Sequence, residues 1–152
     1  MNITSNFETD LGDVLVAESV KHLMADGGPV EKAIEQSHAV LRGYGQFNDY
    51  HVESIIDSHQ EPEVDVRADG FQIRWGWEHE ASPYFEWGVP EHTIDGDPIL
   101  SFVWEDPPQW VTEKFDAEGD GYRVFFGSVE HPGLPEARFA RSALDFLRQE
   151  VS

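Results

Sequence analysis

A chain of 152 residues with no cysteine excludes disulfides, thiolate chemistry and cysteine-ligated metal. Its length is one domain's worth, enough to bury about two thirds of the unfolded surface without covalent staples. With 30 acidic and 10 basic residues the net charge is -20. That argues against nucleic acid, whose affinity comes from Lys and Arg on phosphates, and against an anionic membrane surface. No apolar run approaches bilayer-spanning length. The opening MNITSNFETD has no basic region followed by an apolar one, so no export signal is expected, and Asn2-Ile3-Thr4 reads as an accidental sequon. Only Lys21, Lys32 and Lys114 are lysines. Acid spread along the chain beside intact apolar periodicity points to a folded protein of a high-salt cytoplasm, where self-repulsion is screened. Most carboxylates are then expected to face solvent and carry no chemistry.

Residues 1–7 read as frayed. Thr9 or Asp10 is a candidate cap for a helix to about Ala25, with Leu11, Val14, Leu15, Val20, Leu23 and Met24 as its apolar stripe. Asp26-Gly27-Gly28 ends it, and Pro29 suits the first turn of a second helix to about Leu41. Gly43-Tyr44-Gly45 reads as a break, and 48–58 as a third, shorter helix carrying Val52, Ile55 and Ile56.

The period then changes. Residues 62–67 alternate as a strand, Asp69-Gly70 signals a hairpin, and Phe71, Ile73, Trp75 and Trp77 alternate on one face of the next strand. Ser82-Pro83 turns the chain into the aromatic cluster Tyr84-Phe85-Glu86-Trp87, closed by Gly88. Residues 88–98 read as a loop, 99–104 as a strand, 105–108 as a break and 110–115 as ambiguous. Residues 116–121 read as a turn, 122–129 as the last strand, 130–135 as a loop and 135–151 as a helix. The pattern is α+β in a single domain: a helical part over 8–59, an antiparallel meander of about four strands over 61–130, and a C-terminal helix packed on the sheet.

Few residues invite chemistry. Asp116, Glu118 and Asp120 resemble the start of a calcium loop, but Gly127 stands where the bidentate Glu belongs. His79-Glu80 begins like a zinc-protease helix, but Pro83 occupies the second histidine's place. No metal or cofactor is expected. Glu78, Glu80, Glu86 and Glu91 among tryptophans can form a sugar or small-ligand site. That reading, of a halophilic cellular binding protein, predicts an open pocket lined by Trp75 or Trp77 with Glu78 or Glu86 pointing in. There is no phosphate loop, nucleophile elbow or Ser/His/Asp order, so no enzymatic activity is expected.

Two short segments carry a resemblance. Tyr84-Phe85-Glu86-Trp87-Gly88, after a strand, resembles the tyrosine–aliphatic–glutamate–aromatic–glycine signature of the head–tail joining, or tail-completion, proteins of long-tailed phages. His131-Pro132-Gly133, followed by Arg138-Phe139 and a helix through Arg141-Ser142-Ala143-Leu144, resembles the same family's C-terminal signature. The likeness covers about residues 45–150. Val89 stands where the family prefers Thr, and Arg138 where Pro is usual. The resemblance implies a non-catalytic virion protein of the neck, here of a haloarchaeal tailed virus, assembled in the host cytoplasm. It implies a ring, expected as a hexamer, between a head-side connector or stopper protein and the tail tube protein. DNA would pass through the lumen without specific binding, repelled by the acidic wall. A tail terminator or tail-tube-associated protein fits the same signatures. On this reading Trp75, Trp77, Tyr84, Phe85, Glu86, Trp87, Gly88, His131, Pro132, Gly133, Arg138 and Phe139 are the candidate subunit and axial interface, the cluster Trp75, Trp77, Tyr84, Phe85 and Trp87 being partly core and partly interface, with the tryptophans covered by this chain or its neighbours. The loops 88–98 and 130–135 are the candidate axial contacts.

Overall fold

The computed structural model describes residues 1–8 and 13–152, and the side chains of all of these except 7, 8, 13 and 14. The fold is α+β. The chain divides into two compact units where the composition suggests one domain: residues 1–89 with 135–152, and residues 90–134. The single four-stranded meander is correspondingly replaced by two three-stranded antiparallel sheets.

In the first unit the central strand is β3 (Gly70–Trp77), flanked by β1 (Asn2–Glu8) and β2 (His59–Arg67) in the order β1-β3-β2. The alternation read from the sequence holds. Phe71, Ile73, Trp75 and Trp77 are buried on one face, while Arg74 on the other is exposed. Residues 1–7 are not frayed. They add β1 to β3, with Ile3 opposite Trp75, because the backbone ladder and the burial of Ile3 together hold a mostly polar segment.

Helices α1 (Asp13–Met24), α2 (Pro29–Asn48), α3 (Glu53–Asp57) and α6 (Phe139–Val151) supply the rest of the core. Val16, Leu23, Val30, Ala33, Leu41, Ile55, Phe139, Ala143 and Leu147 pack with the β3 face. The proposed α1 caps, Thr9 and Asp10, lie outside the described residues. Gly43-Tyr44-Gly45 does not end α2, which runs on to Asn48. Gly45 is there for space: a Cβ would sit 2.7 Å from the Tyr50 carbonyl oxygen. The third helix is confined to 53–57. Each fully buried Trp hides roughly 150–250 Å², which at about 25 cal/mol per Å² is worth on the order of 4–6 kcal/mol as an upper bound.

The Ser82-Pro83 turn is the start of a short helix, α4 (Ser82–Trp87), with Pro83 in its first turn, where a missing N–H costs nothing. Gly88, at φ 73°, ends it. The C-terminal helix begins at Phe139, four residues later than the sequence pattern suggests, and the preceding Arg138 is left-handed with φ 58°. The Ala137 N–H donates to the Phe85 carbonyl at 2.7 Å, so the chain returns to the first unit hydrogen-bonded to the segment from which it left.

The second unit is a long hairpin. β4 (His92–Glu105) pairs with β6 (Gly121–His131), and two-residue β5 (Ala117–Glu118) lies on the far edge of β6. The expected loop at 88–98 is therefore largely strand. Its Asp, Gly and Pro residues have little strand propensity, and the pairing with β6 overrides it, with a register shift between Asp95 and Leu100. The ambiguous 110–115 stretch is a helical turn, α5 (Gln109–Lys114). In this unit only Val111 and Val124 are buried hydrophobics.

Candidate functional site

The twelve candidate residues separate into a core, a junction and a surface. Trp75, Trp77 and Phe139 are core. Trp77 meets Phe139 edge-to-face at 4.8 Å, and its indole N–H donates to Nε2 of His38 at 3.1 Å. An accepting Nε2 fixes His38 as the neutral tautomer protonated at Nδ1. Burial, then the neighbouring His59 and Arg42, push His38 down to about 4, with Glu53 opposing. Burial also lowers His59, against the opposing charge of Glu61. His59 Nε2, Trp75 Nε1 and Ser82 Oγ are buried with no hydrogen-bond partner among the described residues.

The junction is built on Glu86. On α4, Ser82 and Glu86 are one turn apart and face inward, whereas Tyr84 and Trp87 face out. The Glu86 side chain is 1 % exposed. One carboxylate oxygen accepts the Ala140 N–H at 2.7 Å. The other accepts the Arg141 N–H at 3.2 Å and Arg141 Nε at 2.6 Å. The free N–H groups of the first turn of α6 are thus capped by a carboxylate 55 residues away in sequence, where the helix dipole favours negative charge. Arg138, at the cap position, makes no side-chain cap of its own.

Arg141 closes the tie. Its Nη2 donates to the Glu86 carbonyl at 2.6 Å and to Glu136 at 3.1 Å. Its guanidinium lies over the Trp87 ring at 4.1 Å. Arg141's hydrogen bond holds the Glu136 carboxyl below its ordinary value. Phe85 is half-buried, its ring edge-on to Tyr44 and Tyr50. The Tyr44 hydroxyl donates to the Pro135 carbonyl at 2.6 Å.

What remains is surface. Tyr84 is 58 % and Trp87 63 % exposed, and Phe47, one turn along α2 from Tyr44, is 90 % exposed. Gly88 follows as the helix end. His131, Pro132 and Gly133 belong to the other unit. There His131 ends β6, its ring lies 4.9 Å from that of His92, and its Nδ1 accepts the Gly133 N–H in a tight turn.

This arrangement does not assemble the expected ligand site. Trp75 and Trp77 present no surface, so neither belongs to an interface, and Glu86 is occupied by the helix and Arg141. Glu78 is exposed and Glu91 lies in the other unit. Glu118 of the calcium-like turn is held by Arg123 at 2.6 Å. Among the described residues no group of three His, Asp or Glu is placed to hold a metal ion.

The sequence reading missed the aromatic face of the hairpin. Phe102 and Trp104 of β4, Phe126 of β6 and Trp110 of α5 form a chain of ring contacts at 6.2–6.4 Å. They line an open groove of about 440 Å³ with Ser128, Val129 and Glu130 at one end. On the opposite face Phe125 is exposed. The available signal was ILSFVW facing YRVFF: strands apolar on both faces, with only one short helix to cover them. No family model, curated protein or solved structure matches this chain.

Proposed function

We propose that the protein is a structural component of a haloarchaeal tailed virus, placed in the neck as a ring between the head connector and the tail tube. One observation carries most of the weight. The hairpin unit keeps an aromatic groove and the outward Phe125 open to solvent while burying only Val111 and Val124. So small a core does not hold a unit of this size, and contiguous exposed aromatics are the mark of a surface that meets a partner. The first unit adds Tyr84 and Trp87 as a second exposed aromatic surface, and Phe47 as a further exposed ring, while the tryptophans that would line a ligand pocket are sealed in its core. Open aromatic surfaces suit a protein that works by complementarity. The signature segment 84–88 supports the same reading, since its glutamate forms the tie that sets Tyr84 and Trp87 outward.

The test is the mass of the purified protein in molar KCl, by light scattering, with and without purified tail tubes. A closed ring, or a monomer that forms rings on tubes, is the expected outcome. A monomer indifferent to tubes overturns the neck reading.

A further inference from the structure

The two exposed aromatic surfaces differ in charge as well as in place. The hairpin surface is acidic. Glu130 lines the groove, Glu105 follows Trp104, Glu113 shares α5 with Trp110, and the unit's bases are Lys114 and Arg123, the latter taken up by Glu118. The surface of the first unit is where this acidic chain gathers arginine. Arg141 is stacked on Trp87, and Arg138, its side chain 55 % exposed, is bonded through its N–H to the Glu86 carbonyl; both guanidiniums share the carboxylate of Glu136, Arg138 at 3.5 Å and Arg141 at 3.1 Å, which leaves two arginines against one exposed glutamate. The buried member of that cluster, Glu86, is already neutralised by Arg141 and the α6 terminus.

Resting on the ring reading above, we propose that the hairpin groove of one copy receives the Tyr84–Trp87 surface of a second copy of this chain. The contact is head-to-tail: Trp87 and Tyr84 are the anchors entering the groove of Phe102, Trp104, Trp110 and Phe126, with Arg138 against the acidic rim. Shape and charge agree. The groove volume of about 440 Å³ is that of a site for a compact aromatic group. Trp, Tyr and Arg are the residues that dominate interface energetics. Two unlike surfaces on one chain make a heterologous contact, which closes into a ring when the rotation per copy allows it. A self-complementary pairing of hairpin on hairpin would instead bring two acidic rims together.

Two variants test this together: Trp87→Ser with Tyr84→Ser, which removes the anchors, and Trp110→Ser, which opens the groove. Far-ultraviolet circular dichroism checks that each is folded, and Arg138→Glu serves as a purely surface alternative to the first. In molar KCl each variant alone is expected to sediment as a monomer. Their equimolar mixture is expected to form a heterodimer of twice the monomer mass, because each retains the surface the other lacks. If Trp87→Ser with Tyr84→Ser still self-associates while Trp110→Ser does not, the hairpin pairs with itself and the proposal is overturned. If the wild type forms rings that neither variant weakens, the proposal fails and the ring reading stands. If the wild type associates head-to-tail as the mixing experiment requires but never forms rings, with or without tail tubes, the proposal stands and the neck reading fails.

Discussion

The two units solve the problem of stability in opposite ways. The first closes three strands with α1, α2, α3 and α6 around Trp75, Trp77 and Phe139, and even the buried carboxylate of Glu86 is satisfied by a helix terminus and an arginine. The second is a hairpin with one short helix and two buried valines. The contrast teaches that the aromatic content of this chain serves two ends. Where helices cover the sheet, aromatics are core. Where little in the unit covers it, they stay exposed. The acidic composition conceals the difference, because both units carry it.

The sharpest way to break the first unit is Trp77→Ala. It removes the ring packed on Phe139 and leaves His38 without its donor, so a loss of about 3–5 kcal/mol is expected, read by denaturant unfolding. Glu86→Ala comes next. Breaking a buried pair costs about 3–5 kcal/mol, but Arg141 is partly exposed and keeps Glu136, so about 2–3 kcal/mol is expected. Its signature is local: amide exchange should quicken at the start of α6 before it does in β3.

Acid should act on the same unit. His38 titrates near 4 when folded and near its ordinary 6.5 when unfolded. Between those values the unfolded chain binds the extra proton, so stability is fully present above about 6.5 and falls as pH drops towards 4. Thermal melts across this window should show the decline, and His38→Gln should reduce it, leaving the part due to the lowered His59. A pH-independent wild-type melting temperature from 7 to 4.5 would contradict the buried neutral histidine.

The smallest effect is the most telling for the comparison. Replacing residues 90–134 by a short Gly-Ser linker should leave the melting temperature of the first unit nearly unchanged, because segments 85–86 and 137–138 are already hydrogen-bonded to each other. The excised hairpin alone should show no cooperative melt. A cooperative transition in the isolated hairpin would remove the reason for giving its aromatic face a partner.

Sequence reasoning reached the α+β class because its evidence is periodic and local. Helical spacing marked α1, α2 and α6, and strict alternation marked β3 as the face on which the core is built. It failed where pairing is non-local. Residues 2–8 carry one described buried apolar residue, Ile3, and become a strand only because β3 offers a free edge. Residues 92–98 look like a loop and are strand because β6 lies beside them. Gly43 and Gly45 look like a break, yet the helix continues, since a glycine chosen for close approach to Tyr50 leaves the same mark as one chosen to end a helix.

The junction shows the division most clearly. The sequence alone determined that Tyr84 to Gly88 and Arg138 onward are unusual segments, and that Trp75 and Trp77 share a face. It named Glu86 within that signature, but as an interface or pocket residue and not as a buried carboxylate that caps a helix. Burying a carboxylate is costly unless donors are waiting, and those donors, the N–H groups of Ala140 and Arg141 with the Arg141 guanidinium, stand more than fifty residues away in sequence. Only the tertiary structure brings them together. In doing so it decides that Glu86 is a fastener, that Trp75 and Trp77 are core, and that Tyr84 and Trp87 are left facing outward.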